Sequence, residues 1–275
     1  KAVFGKHPYG KTNDDVAAYL PQMTRQDAVD FHGRRYGPNR AIIAVVGDTT
    51  EGEVRSLISE FFKEWRSVDV QPPARTAPPR IEKVEVRKLD KNITQANIAI
   101  GHVGIHRENP DFYAVMVMNY IFGGGGFSSR LVDNIRDNRG LAYDVHSSFS
   151  AQKEPGAFRV WVQTKSESAN EAILEIFKEL RRICKEPVSD AELSDAKSYL
   201  TGSFPLRMDT SAKIAAMLTN IEIYGLGLDY PENYQRLIKA IRREDVQRVA
   251  AKYLHPDQMV VVVLGNQKQI KLGEF

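Results

Sequence analysis

Arg136 and Tyr143 are the residues whose types and spacing most directly suggest chemistry, because guanidinium and phenol groups both donate hydrogen bonds. They flank Gly140, a residue type that commonly ends a helix in the left-handed conformation. A helix that starts at Phe127 and ends at Gly140 would carry Arg136 in its last turn, with Tyr143 beginning the next strand. A turn there could bring both side chains to one sheet edge. Taken alone, the spacing favours a surface arginine and a packed tyrosine.

The stretch before this helix contains four consecutive glycines, Gly123, Gly124, Gly125 and Gly126, followed by Ser129 and Arg130. Glycine permits backbone conformations and close approaches that other residues do not. By itself, the run favours a flexible turn between two helices.

Histidines and cysteine give little support for a metal site. His102 and His106 have the spacing of zinc ligands on one helix face, but glycine and β-branched residues between them disfavour a helix. They are better interpreted as solvated loop histidines. The only cysteine, Cys184, lies on an apolar helical stripe, which indicates a buried thiol and excludes a disulfide framework.

The elements that must position these residues belong to an internal repeat. An offset of 218 residues aligns segment 24–48 with segment 242–266, matching Arg25 with Arg243 and Gly47 with Gly265. Each copy predicts a capped helix, a proline-containing turn and a β-branched strand. Carrying the same offset back from Ile81 predicts roughly 135 to 140 residues of the first unit before Lys1.

The repeat and the prolines define the domain organisation. We predict that residues 1–71 form the C-terminal part of a first domain, that 72–80 form a proline-rich linker, and that 81–275 form a complete second domain. Apolar alternation predicts strands over 93–105, 142–151 and 157–164, and helical periodicity predicts helices over 111–122 and 169–184. Further helices are expected over 190–206, 210–224 and 231–241. The expected fold class is α+β, with an antiparallel or mixed sheet and helices packed on one side.

Composition excludes several other classes of protein. The chain has 275 residues, 42% hydrophobic and 27% charged, which is typical of a folded globular protein. Its net charge of +3 is too small to indicate binding to nucleic acid. The apolar runs are shorter than the roughly 20 residues that a membrane span requires.

Taken together, the motifs resemble those of the pitrilysin/insulinase group of zinc metallopeptidases (the inverzincins), especially its processing-peptidase branch. The first-domain motifs are His7-Pro8-Tyr9-Gly10, Tyr36-x-Pro38-Asn39 and Val45-Val46-Gly47-Asp48. The second-domain motifs are Gly123-Gly124-Gly125, Ser129-Arg130-Leu131 and Ile135-Arg136-x-x-x-Gly140-Leu141-Ala142-Tyr143. The resemblance covers nearly the whole chain and implies tandem α+β repeats, one complete and one partial.

The resemblance also implies that zinc binding and substrate clamping belong to different parts of the functional enzyme. The family's His-x-x-Glu-His zinc motif precedes the His-Pro-Tyr-Gly stretch, so this chain is expected to bind no cofactor, with zinc held by the complementary half. By resemblance, Arg136 and Tyr143 are the catalytic pair that donates hydrogen bonds to the substrate carbonyl and oxyanion. Zinc would activate water, while a glutamate outside this chain takes the proton. Gly123, Gly124, Gly125, Gly126, Ser129 and Arg130 are expected to contact substrate.

The expected function is therefore the substrate-clamping part of a zinc endopeptidase that hydrolyses peptides or small unfolded proteins. Whether the chain counts as an enzyme stays open, because it is expected to be inactive alone. Its expected partners are the substrate and an HxxEH-bearing segment or subunit in a homo- or heterodimer. The alternative is a non-catalytic peptide-binding or structural subunit of the same family. The localisation stays open: the resemblance favours a bacterial periplasm or cytoplasm, with the mitochondrial matrix as the alternative in a eukaryote.

Overall fold

The computed structural model describes residues 1–70 and 77–275, which form two compact units. The sheet unit comprises Lys1–Gly10, Pro78–Gly202 and Glu232–Phe275, and the helical unit comprises Lys11–Ala77 and Ser203–Pro231. Most of the proline-rich linker that we expect over 72–80 lies outside the described residues. The domain boundaries expected from the sequence stay a prediction.

The sheet unit is built on five strands in the order β1-β5-β2-β4-β3. β1 is parallel to β5, and the other neighbours are antiparallel, so the sheet is mixed, as expected. The bounds are β1 Glu85–Asp90, β2 Gln95–Val103, β3 Ala142–Phe149, β4 Ala157–Lys165 and β5 Val260–Gly265. β1 was not anticipated from the sequence. Its residues are mostly charged and exposed, which is typical of an edge strand.

Alternate residues of the central strands form the core of this unit. Ile98, Ile100, Val160 and Val162 are at most 1% exposed, as the period of two in a strand requires. Helix α5, Ala169–Lys185, packs on β4 through the apolar stripe anticipated from the sequence. The other helices of this unit are α4 Phe112–Asn119, α6 Asp190–Gly202, α8 Tyr230–Ala240 (apart from its first two residues) and α9 Arg243–Tyr253.

The helical unit contains α1 Asn13–Tyr19, α2 Arg25–Arg35, α3 Glu51–Phe61 and α7 Ser211–Tyr224. Each of the first three begins with a capping box, in which a threonine side chain accepts from the N3 backbone and an N3 carboxylate accepts in return. None of these three helices has a buried residue. Local capping therefore accounts for more of their order than core packing does.

The repeat is confirmed for the helix and only partly for the strand. α2 and α9 have identical bounds at the 218-residue offset, and Asp27 and Asp245 each accept from the N-cap backbone N–H. The segment expected to form a strand over 41–46 pairs with no strand among the described residues, whereas its counterpart β5 has a partner on each side. A strand needs a neighbour for its backbone hydrogen bonds, so the prediction of a formed strand was wrong for the described residues.

His102 also corrects an expectation, because it is not a solvated loop residue. It lies in β2, is 3% exposed, and its Nδ1 lies 2.7 Å from the Val103 carbonyl oxygen. A carbonyl only accepts, so Nδ1 carries the proton. Burial and the neighbouring His255 lower the pKa of His102 to about 4, the burial effect being the larger. The folded protein therefore holds this ring neutral.

We expect His102 to make the fold sensitive to mild acid. Because its pKa is lower when folded than the value of about 6.5 when unfolded, its contribution is complete above pH 6.5 and is lost as the pH falls toward 4. The loss should be about 3 kcal/mol, measured by urea unfolding across this range. His102→Gln should remove this part of the pH dependence, while His32→Gln on exposed α2 should keep it. Equal pH profiles for all three proteins would contradict the assignment.

Asp111, which precedes α4, ties that helix to α9. Its carboxylate accepts from Arg248 at 2.8 Å, Lys252 at 2.9 Å and the Tyr253 hydroxyl at 2.8 Å. Burial by itself would raise the pKa of Asp111, but these hydrogen bonds outweigh it and lower the pKa to about 2. The ionised carboxylate is therefore the form that the fold stabilises.

Asp111→Asn should lower the free energy of unfolding at neutral pH by about 2 kcal/mol, because the amide loses three charge-assisted contacts. Since the pKa of Asp111 is depressed in the folded state, its contribution is present above about pH 4 and disappears as the pH falls toward 2. Asp257→Asn is the matched control, because Asp257 is 83% exposed in its pair with Arg181. A loss no larger than that of the control, measured by chemical denaturation, would refute a structural role for Asp111.

Candidate functional site

The glycine run forms a corner in which Gly123 packs the end of the α4 segment against β3. A π-helical turn, Tyr120–Gly124, continues α4. A Cβ on Gly123 would lie 2.6 Å from both Leu131 Cδ1 and Ser147 Oγ, so only glycine fits there. Gly126 has a φ of +57°, which also favours glycine. These contacts give the corner a packing role, and a contact between Gly123, Gly124, Gly125 or Gly126 and substrate stays a prediction.

Arg136 lies on a second π-helical segment, Val132–Asn138, rather than on a regular α-helix. This wider winding is uncommon and is found frequently at functional sites. The segment ends as the sequence predicts. Gly140 has a φ of +61°, and its N–H donates to the Arg136 carbonyl at 2.9 Å.

Tyr143 is the extra residue of a β-bulge at the start of β3. The ladder pairs Ala142 with Thr164 and Asp144 with Gln163, which leaves Tyr143 between them without a cross-strand partner. Such a bulge redirects a side chain out of the regular alternation. As a result, the phenol ring is 84% exposed at the edge strand of the sheet.

The structure brings Arg136 and Tyr143 together and adds Phe127 to them. The Arg136 Cζ lies 5.3 Å from the Tyr143 ring centroid and 4.6 Å from the Phe127 ring centroid, both within cation–π range. Sequence reasoning gave Phe127 no role. The signal available was an aromatic residue directly after a glycine run.

The hydrogen-bonding capacity of this pair is unused. The nearest carboxylate oxygen to the Arg136 Nε belongs to half-exposed Asp137, at 3.9 Å. Across residues 1–70 and 77–275, neither the Arg136 guanidinium nor the Tyr143 hydroxyl has a hydrogen-bond partner. Two neighbouring donor groups are therefore available to an oxygen atom of a ligand.

A polar network attaches the Arg136 segment to α5. The Asn134 amide donates to Glu175 and Glu179, at 3.0 Å in each case. Arg139 donates to the Asn134 side-chain oxygen at 2.8 Å and pairs with Glu175 at 3.2 Å. Because Asn134 and Arg139 lie on either side of Arg136, these contacts restrain the segment that carries it.

Ser129 and Arg130 face the interior. Ser129 is 1% exposed and donates to the Gly126 carbonyl at 2.7 Å, while Arg130 is 9% exposed. The Arg130 guanidinium donates to both carboxylate oxygens of Glu192, through Nε at 2.6 Å and Nη2 at 3.1 Å. Burial would raise the pKa of Glu192, but hydrogen bonds from Arg130 and Ser189 lower it to about 2. These contacts are structural, and any contact of Ser129 or Arg130 with substrate stays a prediction.

The donor groups of this chain do not fit a zinc ion. The described part of the chain contains no group of three or more histidine, cysteine, aspartate or glutamate side chains that could hold a metal. Cys184 is partly buried, and burial raises the pKa of its thiol to about 11, which disfavours the thiolate that binds metal. None of the helices in residues 1–70 and 77–275 has the length and apolar character that crossing a membrane requires.

Comparison with known proteins identifies the family to which this fold belongs. Residues 22–200 match the family model described as the peptidase M16 inactive domain. The chain belongs to the M16 peptidase family, as its inactive C-terminal domain, and the resemblance to the pitrilysin/insulinase group is confirmed.

Individual relatives give the same picture. An uncharacterized zinc protease of Mycobacterium tuberculosis strain H37Rv is 28% identical over 256 residues, 92% of this chain and 58% of that protein. A probable mitochondrial-processing peptidase subunit beta of Arabidopsis thaliana is 26% identical over 269 residues, 94% of this chain and 50% of that protein. The crystal structure of a peptidase M16 inactive domain from Pseudomonas fluorescens superposes with a TM-score of 0.89 and 28% identity, over 100% of this chain and 65% of that one. The chain thus spans about half to three-fifths of the length of the Mycobacterium tuberculosis and Arabidopsis thaliana proteins.

The Arg130–Glu192 pair can be tested for its structural role. Glu192→Gln should lower the free energy of unfolding by about 2–3 kcal/mol, because it leaves the buried Arg130 charge without its carboxylate. Glu186→Gln is the control, since that carboxylate is 62% exposed beside Arg182 and should change stability by less than about 0.5 kcal/mol. Equal losses in guanidinium-induced unfolding would show that the Arg130 bridge contributes no more than a surface pair.

Proposed function

We propose that this chain is the substrate-clamping part of a zinc-dependent endopeptidase that hydrolyses peptides or small unfolded proteins. The observation that carries the proposal is the unused donor pair, Arg136 and Tyr143, at an exposed strand edge. Both residues occupy the positions that the family resemblance assigns to its catalytic pair. Glu175 and the other members of the polar network around Asn134 hold the segment that carries Arg136 in place.

The donor pair is suited to binding a peptide carbonyl. When a nucleophile adds to a carbonyl, negative charge develops on its oxygen, and donors already aimed at that oxygen stabilise the transition state more than the substrate. The Arg136 guanidinium supplies a fixed charge with several N–H groups, and the Tyr143 hydroxyl supplies one O–H. The cation–π contact holds the guanidinium and the phenol ring close together before substrate arrives.

β3 provides a docking edge next to these donors. It is an outer strand of the sheet, and Tyr143 lies at its start. An extended peptide that pairs with the free edge of β3 would bring its backbone carbonyls past the phenol and the guanidinium. Such strand addition depends mainly on main-chain hydrogen bonds and therefore accepts varied sequences.

The metal-bearing part would be a further segment of the same protein or a partner subunit. Supporting this, the helical unit exposes the apolar side chains of Phe31, Ile42, Ile43, Val45 and Phe61. Among the described residues, segment 41–46 also lacks the two strand neighbours that β5 has. Burial of exposed apolar side chains against another chain segment would stabilise both.

A non-catalytic subunit is the second candidate, favoured by the family description of this domain as inactive. A subunit that only binds peptide or supports an assembly would use the sheet edge without the donor pair. The two candidates differ in whether substitutions at the pair slow turnover.

In the complex that contains both this chain and the HxxEH-bearing part, Arg136→Ala and Tyr143→Phe should each lower kcat by about 10²–10³. KM should change much less, because the donors act mainly on the transition state. The measurement is steady-state cleavage of a quenched fluorescent peptide with zinc present. His146→Gln, on the same strand and half-exposed, is the control and should leave kcat within about twofold.

Two results would contradict the proposal. An unchanged kcat in both pair variants would remove Arg136 and Tyr143 from the mechanism and leave the non-catalytic candidate. Robust zinc-dependent cleavage by this chain alone would disprove the division between a clamp and a separate metal-bearing part.

A further inference from the structure

His102 carries a buried lone pair that no donor satisfies. Its Nδ1–H donates to the Val103 carbonyl, which leaves Nε2 as an acceptor. That Nε2 is buried, and nothing in residues 1–70 and 77–275 donates a hydrogen bond to it. Because the pKa of His102 is about 4, the ring is neutral at pH 7 and the lone pair is available. A buried acceptor without a donor costs free energy, so a ligand at Nε2 would remove that cost.

A second histidine lies beside this ring. His255 is in the turn between α9 and β5, and its ring centroid lies 5.2 Å from that of His102. Among the described residues, neither ring nitrogen of His255 has a hydrogen-bond partner. Both histidines line one cavity of about 190 Å³, whose lining also includes Arg80, Val103 and Gln258. A cavity of this size has room for an ion together with several water molecules.

We propose that His102 and His255 bind one divalent transition-metal ion of the class of Ni²⁺ and Cu²⁺, with water in the remaining coordination positions. This site is separate from the zinc of the proposed peptidase, and it does not depend on the proposed function. A catalytic zinc takes three protein ligands, whereas two imidazoles form a simpler and more readily exchanged site. The bound ion would join the end of β2 to the turn that leads into its neighbour β5.

The distance between the rings fits two ligands of one ion. With a metal–nitrogen distance of about 2.1 Å, imidazoles in neighbouring coordination positions have ring centroids about 4.5–5.2 Å apart. The observed 5.2 Å lies within this range. The hydrogen bond from the His102 Nδ1–H to a backbone carbonyl is also the contact that commonly orients a metal-binding histidine and fixes its tautomer.

The chemistry of the cavity selects the class of ion. Neutral imidazole is a good ligand for nickel and copper, which complete a tetragonal geometry with oxygen ligands such as water. No carboxylate is present among the described residues that line the cavity, so Ca²⁺ and Mg²⁺ would lack the oxygen ligands that they require. Arg80 also lines the cavity, but it is exposed and water screens its charge.

The test titrates the chain with Ni²⁺ as the only added metal, after treatment with a chelator, and measures binding by isothermal titration calorimetry. We expect a saturable site for one ion in the unaltered chain. His255→Gln and His102→Gln should each weaken binding at least tenfold, because loss of a ligand costs no less than the 10–100-fold that loss of an outer partner typically costs. His32→Gln, on exposed α2, is the control and should leave the affinity unchanged.

Three results would overturn the inference. These are the absence of a saturable one-to-one site in the unaltered chain, an unchanged affinity in His255→Gln, and an equal loss in His32→Gln, which would place the ion elsewhere. Because His255 lies on an exposed turn, its variant is expected to fold, which circular dichroism can verify. If His102→Gln fails to fold, His255→Gln therefore decides the question. Peptide cleavage plays no part in the measurement, so failure of the proposed function would leave this inference intact.

Discussion

The close approach of the glycine corner to β3 sets the position of the whole site. No side chain fits between Gly123 and the Leu131 and Ser147 side chains, so the turn after α4 lies directly on the strand. Asn119 strengthens the contact between this turn and β3, because its side-chain oxygen accepts from Ser147 Oγ at 2.8 Å. The π-helical segment must then begin close to the sheet, which places Arg136 within reach of a ring on β3. Backbone packing, and not an ion pair, thus brings the unused hydrogen-bond donors Arg136 and Tyr143 together.

Two different kinds of stabilisation operate along this chain. In the sheet unit, helices are fixed by tertiary contacts, including buried or partly buried carboxylates such as Asp111, Glu179 and Glu192. In the helical unit, α1, α2 and α3 begin with capping boxes and contain no buried residue. A capping hydrogen bond contributes about 0.5–2 kcal/mol, so local contacts rather than a buried core account for most of the order of these three helices.

Much of the fold could be predicted from the sequence, and the failures have physical causes. Alternation identified β2, β3 and β4, and the apolar stripe identified α5, because these elements bury one regular face. β1 has no such face. The π winding around Arg136 does not alter apolar periodicity enough to be recognised, and pairing of segment 41–46 depends on neighbours rather than on its own residues. In the site, the spacing and the family resemblance predicted Arg136 and Tyr143. The position of Phe127 beside Arg136 is seen only in the ring contact of the folded structure.

The bulge at Tyr143 has a consequence for how such a domain can change in evolution. Ala142 and Asp144 pair with adjacent residues of β4, so deletion of the single codon for Tyr143 would join two correct ladder pairs and preserve the register of the rest of β3. The sheet would become more regular, while the phenol would be lost. The pairing of β3 with β4 thus does not depend on Tyr143, whereas the exposed phenol beside Arg136 exists only because of this extra residue.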